Sequence, residues 1–396
     1  MAGDFAPEEA GLKKERFLAI LLTVGLLYLS SAVFAGWSPA TRLTWTPGGS
    51  LDPAIAIDSS DVIHVVWNEY IAGGDDEIYY RRNSDGGAAW TSPKRLTWTS
   101  GASSSPAIAI DSKKGLHVIW YDDTPGNQEI YYRRSLDGGA TWDALKRLTW
   151  TPTYSYDTAI AVDSNDAIHI SWTDNASGSF QIYYRKSTDR GSSWGEIQRL
   201  TWTSGASFGP AIAVDSKNHI HIVCEDYITG GDDIYYTRST TGGETWSPLK
   251  RLTWTSTPSA NAAVAVGAGD SVHVAWEDST SGQGEIYAKK SPDGGATWSA
   301  NKRLTWTSGS SYGAALDVDS GGAIHLVWSD NTAGNYDIDY KKSADGGTTW
   351  SGVQRLTWNS GDSRVPSLAV DSSHTVHIVW MDLTPGNYEV YYKKGT

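Results

Sequence analysis

The sequence predicts an all-β fold, a seven-bladed β-propeller built from four-stranded antiparallel blades. Three observations predict it: a tetrad recurs seven times, its spacing is nearly constant, and each interval holds four short strand patterns. The first step between tetrads is 53 residues and every later step is 52 residues, a period in the range of propeller blades. The Arg-Leu-Thr-Trp tetrads begin at Arg42, Arg95, Arg147, Arg199, Arg251, Arg303 and Arg355.

The second repeat shows how one unit forms one blade. Residues 106–111 and 116–120 are apolar or β-branched on both faces, which indicates inner strands sandwiched between neighbouring blades. Residues 129–134 and 142–150 carry the third and fourth strands. Their additional Lys and Arg residues suit outer strands, where charge discourages pairing with other molecules.

The two ends of the repeat array predict how the ring closes. After Arg355 the last repeat supplies three strands and reaches Thr396 without a fourth. Residues 37–45 match the missing strand. We therefore expect a single propeller domain over residues 36–396, with its N-terminal strand paired to the last blade.

The first 35 residues differ from the repeats. Basic residues between positions 13 and 16 precede an apolar run over residues 17–35 that ends in small residues. This pattern predicts a secretory signal peptide over residues 1–35. An uncleaved anchor is the alternative, because the run is just long enough to span a bilayer. The repeats begin directly after the run, which favours cleavage and a secreted, periplasmic or extracellular propeller without a membrane attachment.

The net charge argues against nucleic-acid and membrane binding, and the cysteine content leaves no pair for an internal disulfide. The net charge is −13, and it becomes −12 without residues 1–35, which hold three basic and four acidic residues. Such a chain lacks the basic face that nucleic acid or an anionic membrane requires. The single cysteine, Cys224, replaces a tryptophan of the other repeats, so we expect a small apolar substitution in the core.

A Gly-rich motif links the third and fourth strands. In the second repeat it reads Ser-Leu-Asp-Gly-Gly-Ala-Thr-Trp over residues 135–142. It resembles the Asp-box, or BNR repeat, of the sialidase superfamily, Ser-x-Asp-x-Gly-x-Thr-Trp. A kelch propeller is the runner-up, because it also has paired glycines. The resemblance implies that the motif is structural and lies opposite the active face; the copy with Thr241 in place of Asp predicts one weaker turn.

The resemblance implies an enzyme only if further residues accompany the fold. Sialidases use three arginines that converge on the substrate carboxylate, a Tyr nucleophile activated by Glu, and an Asp acid/base. Here nearly every arginine occupies a repeated position, and only Arg364 is off-pattern and well placed. The sequence therefore favours a non-catalytic recognition or scaffold module that binds glycan or extracellular protein multivalently. A sialidase-like exo-glycosidase with degenerate motifs is the alternative.

Candidate binding residues follow the second strands or, for Arg364, lie at the start of a first strand, and the loops at both places are expected to share one face of the ring. Carboxylates and tyrosines there can bind sugar hydroxyls and ring faces, and carboxylates can also hold Ca²⁺. Each acid can equally begin a turn by accepting backbone N–H bonds. No cofactor other than this possible calcium is predicted. The candidates are Glu69, Asp122, Asp174, Asp226, Asp278, Asp330, Asp382, Tyr227, Tyr336, Tyr388 and Arg364.

Two further sets recur once per blade. Seven histidines, from His64 to His377, stand between apolar residues of the second strand. Because metal binding needs several ligands around one ion, we expect buried side chains hydrogen-bonded between neighbouring blades instead. The tetrad tryptophans, such as Trp98 and Trp202, either pack between blades or are exposed as sugar platforms.

Overall fold

The structure is a computed structural model that describes residues 36–71, 74–228 and 231–396. Within them the predicted fold is confirmed: seven antiparallel sheets have four strands each. First strands of consecutive blades contact one another, and the first strand of the first blade also contacts that of the last, so the blades form a ring. The first three strands of a blade have seven to nine residues, whereas the fourth has only two.

In blades 1 to 6 the strands follow the chain from the inner to the outer edge, and in blade 7 the outer strand is β1. Blade 1 contains β2 (Gly49–Ile57), β3 (Ile63–Tyr70), β4 (Asp76–Asn83) and β5 (Lys94–Arg95). Blade 2 contains β6 (Ser103–Ile110), β7 (Leu116–Asp122), β8 (Glu129–Ser135) and β9 (Lys146–Arg147). Blade 3 contains β10 (Ser155–Val162), β11 (Ile168–Asp174), β12 (Gln181–Ser187) and β13 (Gln198–Arg199). Blade 4 contains β14 (Ser207–Val214), β15 (Ile220–Asp226), β16 (Asp233–Ser239) and β17 (Lys250–Arg251).

The remaining blades repeat this order, with one short helix in blade 5. Blade 5 contains β18 (Ser259–Gly267), the 3₁₀ helix η1 (Ala268–Asp270), β19 (Ser271–Asp278), β20 (Glu285–Ser291) and β21 (Lys302–Arg303). Blade 6 contains β22 (Ser311–Val318), β23 (Ile324–Asp330), β24 (Asp337–Ser343) and β25 (Gln354–Arg355). Blade 7 contains β26 (Ser363–Val370), β27 (Val376–Asp382), β28 (Glu389–Gly395) and β1 (Thr41–Arg42).

The predicted ring closure is confirmed by the pairing of β1 with β28. Thr41 lies opposite Tyr392, and Arg42 lies opposite Tyr391. The Leu43 N–H continues the pairing by donating to the Val390 carbonyl at 2.7 Å. The N-terminal strand therefore completes the last blade and closes the ring without a covalent bond.

Apolar side chains seal each interface between blades. Trp120 of β7 is fully buried and packs with Val66, Ile78 and Leu96 of the preceding blade. Burial of one such side chain stabilises the fold by about 2–3 kcal/mol. Cys224 takes the tryptophan position in blade 4 and is buried in the corresponding cluster, as expected for an apolar substitution.

The Asp-box forms a hydrogen-bonded turn. Asp137 accepts bonds from the Thr141 hydroxyl at 2.5 Å, the Thr141 N–H at 2.8 Å and the Ser135 hydroxyl at 2.7 Å. The two bonds from Thr141 contribute most to lowering the pKa of Asp137 to about 2. Gly139 has φ +89°, and a Cβ on it would lie 2.1 Å from the Tyr80 hydroxyl oxygen of the preceding blade. Glycine is therefore required both by the turn and by the approach of the neighbouring blade.

The prediction for the histidines is correct about burial and wrong about their partners. Nδ1 of His117 lies 2.7 Å from the Tyr132 hydroxyl, and Nε2 lies 3.1 Å from Asp111, all within blade 2. The reason is the register: His117 pairs with Arg134, and Tyr132 projects from the same face of β8 two residues earlier. Burial lowers the pKa of His117 and so favours the neutral imidazole.

Candidate functional site

The predicted carboxylates terminate the second strands. Asp122 is buried and accepts bonds from the Ser103 hydroxyl at 2.7 Å and the Thr124 N–H at 2.9 Å. The serine bond recurs at the buried carboxylates of blades 3 to 7, which are Asp174, Asp226, Asp278, Asp330 and Asp382. Glu69 is partly exposed and accepts the Trp67 indole N–H at 3.2 Å.

These contacts match the turn-capping interpretation of the acids. A carboxylate without exposed surface cannot contact a ligand unless its loop first rearranges. A binding role for the six aspartates stays a prediction, and the site described below is built from other side chains.

Arg364 and Tyr336 are brought together between blades 6 and 7. The guanidinium carbon of Arg364 lies 4.1 Å from the ring centre of Tyr336, and its Nη2 is 2.7 Å from Asp362. Tyr312 packs edge-on against Tyr336, with ring centres 4.8 Å apart. Tyr388 occupies the position of Tyr336 in the next blade and interacts electrostatically with Arg364. The fourth candidate, Tyr227, lies apart in blade 4 and is half exposed.

Sequence reasoning missed a central cavity of about 510 Å³. Its wall is formed where the first strands begin, because each strand has a register shift there. A β-bulge of this kind redirects a side chain. One residue per bulge has φ between +48° and +64°, and these seven residues all line the cavity: Asp52, Ser105, Asp157, Gly209, Asn261, Gly313 and Val365.

The cavity is acidic. Its lining includes the carboxylates of Asp52, Asp157 and Glu225, and no Lys, Arg or His among the described residues that line it. Burial raises the pKa of all three carboxyl groups, and it raises the pKa of Glu225 to about 7 with further contributions from Asp232 and Asp157. The backbone N–H of Asn261 donates to Glu225 at 2.5 Å and partly opposes this shift.

Aromatic rings accompany the carboxylates on this face. Phe180 lies between Tyr156 and Phe208, with ring centres 5.5 and 5.2 Å away. Tyr121 interacts through its hydroxyl with Ser105. Carboxylates beside aromatic rings provide hydrogen-bond acceptors for hydroxyl groups and flat surfaces for sugar rings.

Variation among the repeats is the signal that identifies these residues. The site residues occupy the few positions at which otherwise similar blades differ. One such position follows the core tryptophan, or Cys224 in blade 4, and is occupied by Asn68, Tyr121, Thr173, Glu225, Glu277, Ser329 and Met381. Another lies directly before the third strand, or at its first residue in blade 1, and is occupied by Asp76, Gln128, Phe180, Asp232, Gly284, Tyr336 and Tyr388.

The tetrad tryptophans form a second repeated surface. Their exposed fractions range from 52% to 75%, so they are platforms rather than packing between blades: Trp45, Trp98, Trp150, Trp202, Trp254, Trp306 and Trp358. A cation from the next blade lies over most of these rings, such as Arg133 at 5.9 Å from the Trp98 ring centre. Thr237 replaces that cation in blade 4, and Trp202 is the most exposed of the seven.

A family match covers residues 72–326 and corresponds to the BNR repeat-like domain. The chain belongs to this family. The match agrees with the Asp-box motif and with the four-stranded blades described above. No match among curated proteins accompanies it.

Solved structures resemble this BNR propeller in fold at low sequence identity. A polysaccharide lyase, an ulvan lyase bound to -[GlcA(1-4)Rha3S]-, has a TM-score of 0.65 and 12% identity over 89% of this chain and 95% of that chain. The NanB sialidase of Streptococcus pneumoniae has a TM-score of 0.53 and 13% identity over 90% of this chain and 70% of that chain. A protein of unknown function from Dyadobacter fermentans has a TM-score of 0.55 and 13% identity, over 90% of this chain and 97% of that chain.

The remaining sequence predictions are the signal peptide over residues 1–35 and a calcium site. The predicted signal peptide lies outside the described residues, and none of the described segments forms a helix long and apolar enough to cross a bilayer. The same part of the BNR propeller contains no group of three or more His, Cys, Asp or Glu side chains arranged to hold a metal ion. The calcium hypothesis stays a prediction.

Proposed function

We propose that this propeller is a non-catalytic glycan-recognition module whose central cavity takes uncharged sugar units. The observation that carries the proposal is the cavity lining, which combines Asp52, Asp157 and Glu225 with no cation among the described lining residues. Sugar hydroxyls can donate to these carboxylates, and sugar ring faces can pack on Tyr312, which lines the same cavity. Structural neighbours that act on glycans, the ulvan lyase and the sialidases, support a glycan ligand.

The lining chemistry opposes an acidic sugar. A sialic acid or uronate carboxylate would lie beside protein carboxylates in a partly buried site, where like charges repel strongly. The resemblance to sialidases implies three arginines around the substrate carboxylate, but Arg364 already pairs with Asp362 and stacks on Tyr336. The central cavity thus lacks the electrostatic complement that sialoside hydrolysis requires.

The experiment is a glycan-array screen followed by calorimetry on matched neutral and sialylated oligosaccharides. Neutral glycans should bind, and their affinity should fall about tenfold in Glu225→Gln or Tyr312→Ala, the loss expected from one good contact. Glu196→Gln is the matched control, because Glu196 is exposed beside an Asp-box turn and loses the same charge. Tighter binding of sialylated glycans than of neutral ones would contradict the proposal.

The exposed tryptophans favour a second, multivalent mode of glycan recognition. Seven similar indole platforms on one ring can bind a repeating polymer much more tightly than one platform binds a short oligomer, through effective concentration. Trp98→Ala combined with Trp202→Ala and Trp306→Ala should weaken binding to a neutral polysaccharide at least tenfold while preserving binding of short glycans at the central cavity. Equal affinity of the triple variant and the parent for the polymer would exclude this mode.

The propeller is proposed to act outside the cytoplasm, as the apolar run before Ala35 indicates. Exported protein should then begin at Gly36. Intact-mass measurement of the secreted or periplasmic fraction tests this, and a membrane-bound species that retains residues 1–35 would support the anchor instead.

A further inference from the structure

Blade 5 departs from the others at one buried position. In six blades a tyrosine of the third strand is hydrogen-bonded to the second-strand histidine of the same blade. These tyrosines are Tyr80, Tyr132, Tyr184, Tyr236, Tyr340 and Tyr392. Blade 5 has Ala288 at this position. Its cross-strand partner, Ala275, is also small, so the missing ring is not replaced from the opposite strand.

Five of the six tyrosines have the same three neighbours, a histidine of their own blade and a tryptophan and a glycine of the next blade. In blade 2 the Tyr132 hydroxyl lies 2.7 Å from His117 Nδ1, and its ring packs edge-on against Trp194 of the next blade at 5.1 Å. The hydroxyl also fills the space above Gly191, where a Cβ would lie only 1.9 Å away. The ring therefore joins a histidine, a tryptophan and a glycine across the interface.

Blade 5 retains all three neighbours without the tyrosine. A pocket of about 370 Å³ opens there between blades 5 and 6, and His273, Trp350 and Gly347 line it beside Ala288. A Cβ built on Gly347 would meet nothing closer than 3.5 Å. The pocket is far larger than the roughly 150 Å³ that suffices to hold benzene in an apolar protein cavity.

The histidine of this pocket has an available acceptor. Nε2 of His273 lies 3.0 Å from the Ser271 hydroxyl, which replaces the aspartate partner used by the other blades. Within the described residues, Nδ1 of His273 has no hydrogen-bond partner, and it faces Gly347. Burial and the nearby Lys290 lower the pKa of His273 to about 4, so the imidazole is neutral and one nitrogen can accept a proton donor.

We infer that this pocket binds a small phenol, whose hydroxyl donates to His273 Nδ1 and whose ring packs against Trp350. The six tyrosines show what this environment accommodates: a neutral hydroxyl on an aromatic ring. The site is independent of the glycan site proposed above, since it lies within the wall between two blades.

The experiment measures binding of phenol itself to the full propeller by ligand-observed NMR and by thermal unfolding. Phenol should bind saturably with a stoichiometry near one and raise Tm, whereas Ala288→Tyr should raise the basal Tm and abolish the phenol-dependent shift. His273→Leu should weaken phenol about fivefold to tenfold and change toluene binding by less than about twofold, because only phenol uses Nδ1.

A matched control is provided by blade 3, where the tyrosine also lies opposite a small residue, Ser171. Tyr184→Ala should create an equivalent pocket beside His169 and Trp246, and should raise the phenol stoichiometry towards two. Ala288→Leu fills the blade 5 pocket without a hydroxyl, and it replaces Ala288→Tyr if that variant does not fold. The inference is overturned if phenol does not bind saturably, or if it binds Ala288→Tyr or Ala288→Leu as well as it binds the parent.

Discussion

Replacement of Glu389 by alanine should weaken the closure of the ring. Glu389 is buried at the start of β28 and accepts the Arg42 guanidinium at 2.8 Å, the Thr46 N–H at 2.8 Å and the Thr44 hydroxyl. All three donors belong to the segment that contains β1. One carboxylate thus holds both ends of the propeller, and its removal leaves a cation and an N–H without their acceptor.

The size of the effect follows from these contacts. Breaking a buried ion pair by removing one partner costs about 3–5 kcal/mol. We expect the lower end, about 3 kcal/mol, because Arg42 is partly exposed and also donates to the Thr44 carbonyl at 2.6 Å. With about 2.1 cal/mol/K of unfolding entropy per residue, that loss corresponds to roughly 4 °C in Tm for this ring.

Glu129→Ala is the matched control, because Glu129 makes the same kind of contacts inside blade 2. It accepts Arg147 at 2.9 Å and the Thr151 N–H at 2.8 Å, but chain continuity still holds that blade. Both variants should lose similar stability in denaturant, and only Glu389→Ala should expose residues 38–46 to proteolysis and fast hydrogen exchange. Equal protection of residues 38–46 in the two variants would refute the closing role of Glu389.

Three further outcomes are expected. Asp122→Ala should lower stability by about 1–3 kcal/mol, the cost of an unsatisfied buried donor, and leave glycan affinity unchanged; a loss of binding without a loss of stability would restore the acids as ligands. The pKa of Glu225 is raised to about 7 in the folded state, so between about pH 4.5 and 7 the folded state binds more protons than the unfolded state. The contribution of Glu225 to stability should therefore fall as the pH rises through this range. Urea titrations of Glu225→Gln should lack this pH dependence. Fluorogenic sialosides should not be turned over, and efficient turnover that disappears in Arg364→Ala would contradict the electrostatic argument.

The fold could be predicted because repetition supplies the same signal seven times. One strand pattern is ambiguous by itself, but the tetrad spacing and the match between residues 37–45 and a fourth strand determine the blade count and the closure. The length of the fourth strand was less predictable: residues 142–150 reduce to Lys146–Arg147, because Trp142 belongs to the Asp-box turn and Trp150 is exposed. Residues 142–150 can form either a turn or a paired strand, and their hydropathy does not show where the turn ends and the strand begins.

The site was harder to predict because burial and shape depend on tertiary contacts. Asp122 has the residue type of a ligand-binding group, yet the Ser103 hydroxyl and its own turn occupy its oxygens. Asp157 is unremarkable in sequence, but the bulge in β10 gives it φ +52° and places it at the cavity. A register shift between two strands, rather than any motif, decides which carboxylate faces the ligand.

Differences among the blades carry more functional information than the motif that they share. A shared residue such as the buried Trp120 has an equivalent role at six interfaces, so its chemistry describes the scaffold. The bulge is maintained even at Val365, where φ +51° is unfavourable for a β-branched residue, so the scaffold imposes the geometry and leaves the side chain free to vary. Glu225 at the cavity and Ala288 at the interface are both such departures. In a ring of near-copies, a ligand site is therefore best sought where one blade lacks what the others have.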